Sequence, residues 1–152
     1  MSAARPPRRD LAAMIVPLGR ALTAAELPLL QEHGLTMWGY AVLLRLDAEP
    51  LRSQAALAEA IGADKTRIID VLAGLEERGL ISRTPDPADR RVRLLALTAE
   101  GRRVRDAAQG AVQEREERLL ARYLTPAQRD ALLGALAALA ALPPDAVTAR
   151  EP

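Results

Sequence analysis

Ser53 to Thr84 reads SQAALAEAIGADKTRIIDVLAGLEERGLISRT, and the alternation of caps and apolar spacings within it decides the fold. Ser53 is an N-cap for a short helical segment, Gln54 to Ile61, with Leu57 and Ile61 on one face. Gly62-Ala63 makes a tight break. Asp64 caps a longer segment that runs to about Arg78, where Gly79 supplies a left-handed stop. A short helix, a glycine-containing turn and a longer helix, followed at once by strand-like sequence, is the pattern of a winged helix-turn-helix.

On a helical wheel of the longer segment, Ile68, Val71, Leu72 and Leu75 cluster on one side, with Ile69 at the margin. Thr66, Asp70, Ala73 and Glu77 lie opposite, flanked by Arg67 and Gly74. Lys65, Thr66 and Arg67 fall in the first turn, where a recognition helix meets base edges and phosphates. Asp70 and Glu77 pull the other way, because a phosphate-lined groove repels carboxylates unless one accepts from a cytosine amino group. On its own the helix reads equally well as a groove reader or as an amphipathic helix with a solvated face.

The sequence that follows bears on that choice. Leu80–Thr84 and Val92–Leu97 alternate as strands and can pair in an antiparallel hairpin, with Pro85 and Pro87 confined to the loop. Asp86, Asp89, Arg90 and Arg91 then stand at the tip, with Arg83 and Arg93 at the base, four arginines against two aspartates. An arginine on such a tip can enter the minor groove, where narrow A·T tracts concentrate negative potential. Asp89, two residues before Arg91, is placed to hold its guanidinium by a charge-assisted hydrogen bond. The alternative is a solvated turn whose charges merely pair with one another.

Outward from this lobe the chain is helical. Leu11, Met14, Ile15, Leu18, Leu22, Leu27 and Leu30 keep helical spacing, and Pro17 and Pro28 predict a kink or a late start. Thr36 caps a helix carrying Met37, Tyr40, Ala41 and Leu44 on one face, which Glu49-Pro50 ends. Thr98 caps a long charged helix, Thr125-Pro126 with Gln128 forms a capping-box start, and Pro143-Pro144 stops the last helix. Ala131 to Leu142, ALLGALAALAAL, is uncharged throughout, which favours an intertwined two-chain bundle. Acids and arginines from Gln113 to Arg122 are spaced as i,i+4 surface pairs.

The expected fold is therefore mainly α (α+β): a winged helix-turn-helix with flanking N- and C-terminal dimerisation helices. One domain spans residues 1–152, the DNA-binding lobe being 36–98, the dimerisation region 10–35 and 99–142, and flexible tails 1–9 and 143–152. A net charge of +1 rules against general polyanion binding, so any nucleic-acid argument rests on local charge. Absence of cysteine removes disulfide scaffolds and thiolate zinc sites, and a lone histidine makes a transition-metal sensor a poor reading. No cofactor or metal is expected. No nucleophile–base set or phosphate-cradling glycine loop is visible, so the chain does not read as an enzyme. Without a recognisable leader, and with the most apolar run too short for a bilayer, a cytoplasmic protein without a membrane partner is expected. His33, Trp38 and Tyr40 gather the only histidine and two of the three aromatics within eight residues. They read either as an aromatic-ligand pocket or as packing of the second helix.

TRIIDVLAGLEERGLISR, together with DPADRRVRLLALTAEGR, resembles the MarR family of winged-helix transcriptional regulators, and GLTMWGYAVLLRL is similar to that family's second helix. Asp86, Asp89, Arg91, Leu97, Thr98 and Gly101 fall at the family's wing spacing, and the resemblance covers about residues 10 to 142. It implies a homodimer on a roughly palindromic double-stranded operator, usually a repressor released by a small aromatic or anionic effector. By position, Arg91 is implied as the minor-groove arginine and Asp89 as its orienting partner, with Thr66 and Arg67 at the major groove. Ala88 stands where many members carry arginine, which leaves one wing phosphate contact without its usual donor. Two readings from other classes remain, a winged-helix protein–protein module and a helical small-molecule carrier.

Overall fold

The computed structural model describes residues 8–48, 50, 51 and 53–149. In chain order these form α1 (Leu11–Glu32), α2 (Met37–Ala48), α3 (Gln54–Ile61), α4 (Lys65–Glu77), β1 (Ile81–Pro85), β2 (Arg93–Leu97), α5 (Ala99–Tyr123), α6 (Pro126–Ala140) and α7 (Pro144–Thr148). The tail expectations for 1–7 and 150–152, and Glu49 of the predicted helix stop, lie outside the described residues.

Side-chain caps start most of these helices. Thr36 Oγ1 accepts from the Gly39 N–H at 3.0 Å, Ser53 Oγ from Ala56 at 3.0 Å, and Asp64 Oδ1 from Arg67 at 2.8 Å. Each satisfies one of the orphan donors of a first turn. Thr125 and Gln128 bond reciprocally in a capping box at 3.3 and 3.0 Å. The turns after α3 and α4 need left-handed backbone, and glycine supplies it at Gly62 (φ 71°) and Gly79 (φ 68°).

Four expectations need correction. The first helix does not start late: α1 runs from Leu11 through both Pro17 and Pro28. It is also long and apolar enough, by length and composition, to cross a membrane, because Arg20, Glu26 and Glu32 are its only charged residues. Pro85 is the last residue of β1, opposite Arg93, rather than a loop residue. As the terminal residue of an edge strand it forfeits no interior ladder bond. Residues 143–152 are not wholly a tail, since Pro144 at the first turn opens the short helix α7.

The chain divides into two compact units, Met1–Val112 and Gln113–Pro152. In the first, Leu43, Leu57, Ile68, Leu72, Leu80, Ile81 and Leu95 are fully buried and join α2, α3, α4 and the hairpin around one aliphatic core. β1 and β2 pair antiparallel from Ile81↔Leu97 to Pro85↔Arg93. Leu51 adds a bridge to Leu95 on the other side of β2, so the loop after α2 completes a third short rung. In the second unit α6 buries none of its residues, and Leu133, Leu136, Leu139 and Leu142 are each about half exposed. Arg118 pairs with Glu114 at 2.9 Å at the expected i,i+4 spacing, and Arg129 of α6 reaches Glu117 of α5 at 2.7 Å.

Candidate nucleic-acid interface

The first turn of α4 is organised by Asp64. Its Oδ1 holds the Arg67 N–H, and its Oδ2 lies 3.7 Å from the Arg67 Nε. Lys65, Thr66 and Arg67 are exposed there, as is Asp70 one turn on. Ile69, expected at the margin of the buried face, is 53% exposed and belongs to the outer surface. Glu77 is exposed at the far end of the same helix, well past the first turn.

Two aspartates shape the wing tip. Asp86 is only 4% exposed, and its Oδ1 accepts the Ala88 N–H at 2.8 Å while its own N–H donates to the Val92 carbonyl at 2.8 Å. Asp89 Oδ1 accepts from the backbone N–H of Arg91 at 3.1 Å, and its carbonyl accepts from Val92 at 2.9 Å. These are Asx-type turns, in which a short carboxylate replaces a strand partner. Asp89 therefore holds the main chain of Arg91 and not its guanidinium. Arg90, Arg91 and Arg93 are exposed, and among the described residues their guanidiniums make no ion pair. Arg83 behaves differently: its Nε bonds Glu76 Oε2 at 3.0 Å and ties β1 to α4.

The lobe is joined to α5 at two places. Thr98 Oγ1 accepts from the Gly101 N–H at 2.9 Å and donates to the Gly79 carbonyl at 2.6 Å, so one hydroxyl caps α5 and pins the end of α4. Asp47 at the end of α2 receives Arg102 through one carboxylate oxygen and Arg105 through the other at 2.9 Å. The Arg105 side chain is only 13% exposed, so this contact is largely withdrawn from water.

His33, Trp38 and Tyr40 fall in three separate settings. Tyr40 is buried in the aliphatic core. Trp38 lies half-buried under the guanidinium of Arg67, 5.9 Å from Cζ to the ring centroid. His33 ends α1 and lines a cleft of about 470 Å³ with Glu32, Arg78, Leu80, Glu100 and Arg103. Arg78 and Arg103 were not legible as site residues, because only the fold brings the end of α4 and the start of α5 beside His33. Arg78 Nη1 also donates to the Gly34 carbonyl, and Arg103 grips both oxygens of Glu100 at 2.9 and 2.6 Å. The hydrogen bond from Arg103 holds the Glu100 carboxyl below its ordinary range, and the carboxylate in turn raises Arg103. Among the described residues no group of three or more His, Asp or Glu is placed to hold a metal ion.

With this geometry in place the chain can be compared with known proteins. The MarR family model matches residues 35–92, the stretch from the end of the α1–α2 turn to the wing. A putative transcriptional regulatory protein for the hcr operon of Thauera aromatica is 34% identical over 129 residues, 85% of this chain and 73% of its own. The chain belongs to the MarR family. The transcriptional regulator HosA of Escherichia coli is 43% identical over 74 residues, and this match spans 49% of the chain but only 55% of HosA. Among solved structures, CouR of Rhodococcus jostii RHA1 bound to p-coumaroyl-CoA is 30% identical with a TM-score of 0.70, covering 88% of this chain and 94% of its own. CouR has also been solved as a transcriptional repressor bound to a 23-mer DNA duplex, where identity is 35%, coverage 86% and 92%, and the TM-score 0.70. The Mycobacterium tuberculosis MarR family protein Rv2887, in complex with p-aminosalicylic acid, is 27% identical with a TM-score of 0.75, covering 88% of this chain and all of its own. The MarR family match ends at Val92, one residue before β2, whereas the match to the Thauera protein spans 129 residues.

Proposed function

We propose that this chain is a homodimeric, sequence-specific DNA-binding transcriptional regulator that acts as a repressor and leaves its operator when an effector binds. The observation that carries the reading is the wing. Asp86 Oδ1 and Asp89 Oδ1 each hold a backbone N–H, and Arg90, Arg91 and Arg93 are exposed and outside ion pairs among the described residues. A solvated turn of mutually paired charges would have spent those arginines on the aspartates. Lys65, Thr66 and Arg67 supply the second contact, presented at a capped helix N-terminus whose dipole also favours phosphate. CouR bound to duplex DNA supports the assignment by analogy.

In this reading residues 36–98 bind DNA, and 10–35 with 99–142 form the dimer, all within a single regulator of residues 1–152. Lys65, Thr66, Arg67 and Asp70 face the major groove, while Asp89 positions Arg90, Arg91 and Arg93 at the wing. The exposed leucines of α1 and α6 support a partner copy, because isolated helices with such faces are poorly tolerated in water. The effector is an aromatic acid or its thioester. His33, Arg78 and Arg103 give its cleft cationic character, and the ligands of CouR and Rv2887 are of that chemistry. Trp38 and Tyr40 are not assigned to this cleft. The protein works without catalysis, cofactor or metal, in the cytoplasm.

A gel-shift of the purified protein on the region upstream of its own gene, and on duplexes selected from a random pool, tests this. Specific binding that weakens steeply with salt is expected, since phosphate neutralisation releases counterions. Binding with no sequence preference at any salt would overturn it. The rival, a protein–protein module on the same fold, is favoured by Asp70 and Glu77 on the outer face of α4. Selection of a protein partner by that face, with no DNA selected, would support the rival.

A further inference from the structure

Resting on the DNA-binding assignment, we infer that Trp38 is a positioning residue for DNA recognition: its ring holds the Arg67 guanidinium ready for the groove. Arg67 is the longest of the exposed side chains in the first turn of α4, and a free arginine there surrenders rotamer freedom on binding. Two groups restrain it in advance. Trp38 lies on one side at 5.9 Å from Cζ, and the Asp64 carboxylate lies at 3.7 Å from Nε. Neither consumes the guanidinium. The ring offers only its π-face, and the Asp64 contact is longer than a hydrogen bond, so the N–H donors remain available to phosphate or a base edge.

The placement follows from the local sequence. Thr36 caps α2, which sets Trp38 in its first turn, and Asp64 caps α4, which sets Arg67 in its own. Two capped helix starts thus bring the ring and the guanidinium together from positions 29 residues apart. The ring is half-buried and meets the Arg67 guanidinium. Preorganisation of this kind improves affinity by removing an ordering penalty and adds no contact to DNA.

The test is a double-mutant cycle between Trp38→Leu and Arg67→Ala, with Trp38→Phe as the conservative variant, on a duplex that the wild-type protein has selected from a random pool. Trp38→Leu should weaken binding about 2- to 5-fold, the scale of an exposed cation–π contact, and Trp38→Phe should recover part of that loss. In the Arg67→Ala background Trp38→Leu should change nothing. The salt slope should drop by about one in Arg67→Ala and stay unchanged in Trp38→Leu, because the charge remains. Without DNA, the Arg67 side-chain resonances should show an upfield ring-current shift that Trp38→Leu abolishes. Additive losses in the cycle, or no ring-current shift, overturn the positioning role while wild-type binding stands. A wild-type protein that selects no duplex overturns the DNA-binding reading and this inference together.

Discussion

At the scale of single residues, the most demanding position is Gly101. A Cβ built there would stand 1.9 Å from the Leu80 carbonyl oxygen and 2.9 Å from Leu97 Cδ1, so the first turn of α5 lies directly on the backbone that enters β1. The two closest atoms are backbone, the Leu80 carbonyl oxygen and carbon, so a rotamer change at Leu97 cannot relieve the clash and α5 must move off the lobe. Gly101→Ala should therefore lower stability by about 1–3 kcal/mol or more, read as a drop in thermal unfolding temperature. Gly110, on the same helix, has open space where its Cβ would be. Gly110→Ala should stabilise by about 0.5–1 kcal/mol through lost unfolded-state entropy, and an equal loss at both positions would refute the steric account. Arg91 and Asp89 make a second residue-level pair. Arg91→Ala should cost ~1–3 kcal/mol of operator affinity, the scale of one good base contact, in a fluorescence titration. Because Asp89 supports the Arg91 backbone through an acceptor, Asp89→Asn should keep most of that affinity and Asp89→Ala should not. Equal loss in the two Asp89 variants would return the carboxylate to the role of guanidinium partner that the sequence spacing suggested.

At the scale of elements, the helix starts were legible because each is a local contract between a short polar side chain and a backbone N–H two or three residues on. Thr36, Ser53, Asp64, Thr98 and Thr125 all fulfil it. The hairpin was legible from alternation, yet its length and neighbours were not. Pro85 extends β1 and Leu51 bonds to Leu95 because of where the rest of the fold leaves an open edge, and neither carries a signal in its own neighbourhood. The same limit hid the Asp47 contact, which joins residues more than fifty positions apart. Asp47 draws Arg102 and the largely buried Arg105 onto the end of α2, and Arg105 also reaches Asp106 at 2.8 Å. Removing Asp47 leaves a guanidinium shielded from water with only Asp106 and a 3.4 Å bond to Gln109 Oε1 among the described residues. Asp47→Ala should then destabilise by about 1–2 kcal/mol in urea unfolding, more than Glu114→Ala, whose pair with Arg118 is solvent-exposed. Matching losses would show that burial of Arg105 adds nothing to the contact.

At the scale of the whole molecule, α1 and α6 each expose large apolar side chains. Leu11, Met14, Ile15, Val16, Leu18 and Leu27 are exposed along α1, and four leucines are half exposed from Leu133 to Leu142. The uncharged run of α6 was readable in the sequence, but the membrane-like hydropathy of α1 was obscured there by its two prolines. If a second copy covers these faces, as proposed, Leu136→Glu should shift sedimentation from dimer to monomer and weaken operator binding together. Effector control follows from the same assembly. His33 caps the end of α1, Arg78 caps the end of α4 and Arg103 belongs to α5, so an anion drawn into their cleft touches three helices at once. If it binds only one of two arrangements of those helices, it can move the equilibrium by no more than its differential affinity. An aromatic acid at about a hundred times its dissociation constant should raise the stability of the free protein by about 2.7 kcal/mol. By reciprocity, the same compound must lower operator affinity by the factor by which operator DNA lowers affinity for the compound. Measuring both factors by calorimetry, in wild type and in Arg103→Ala, checks the coupling. A compound that stabilises the protein yet leaves the operator affinity untouched would assign the cleft to simple binding, with the helices moving as one in either state.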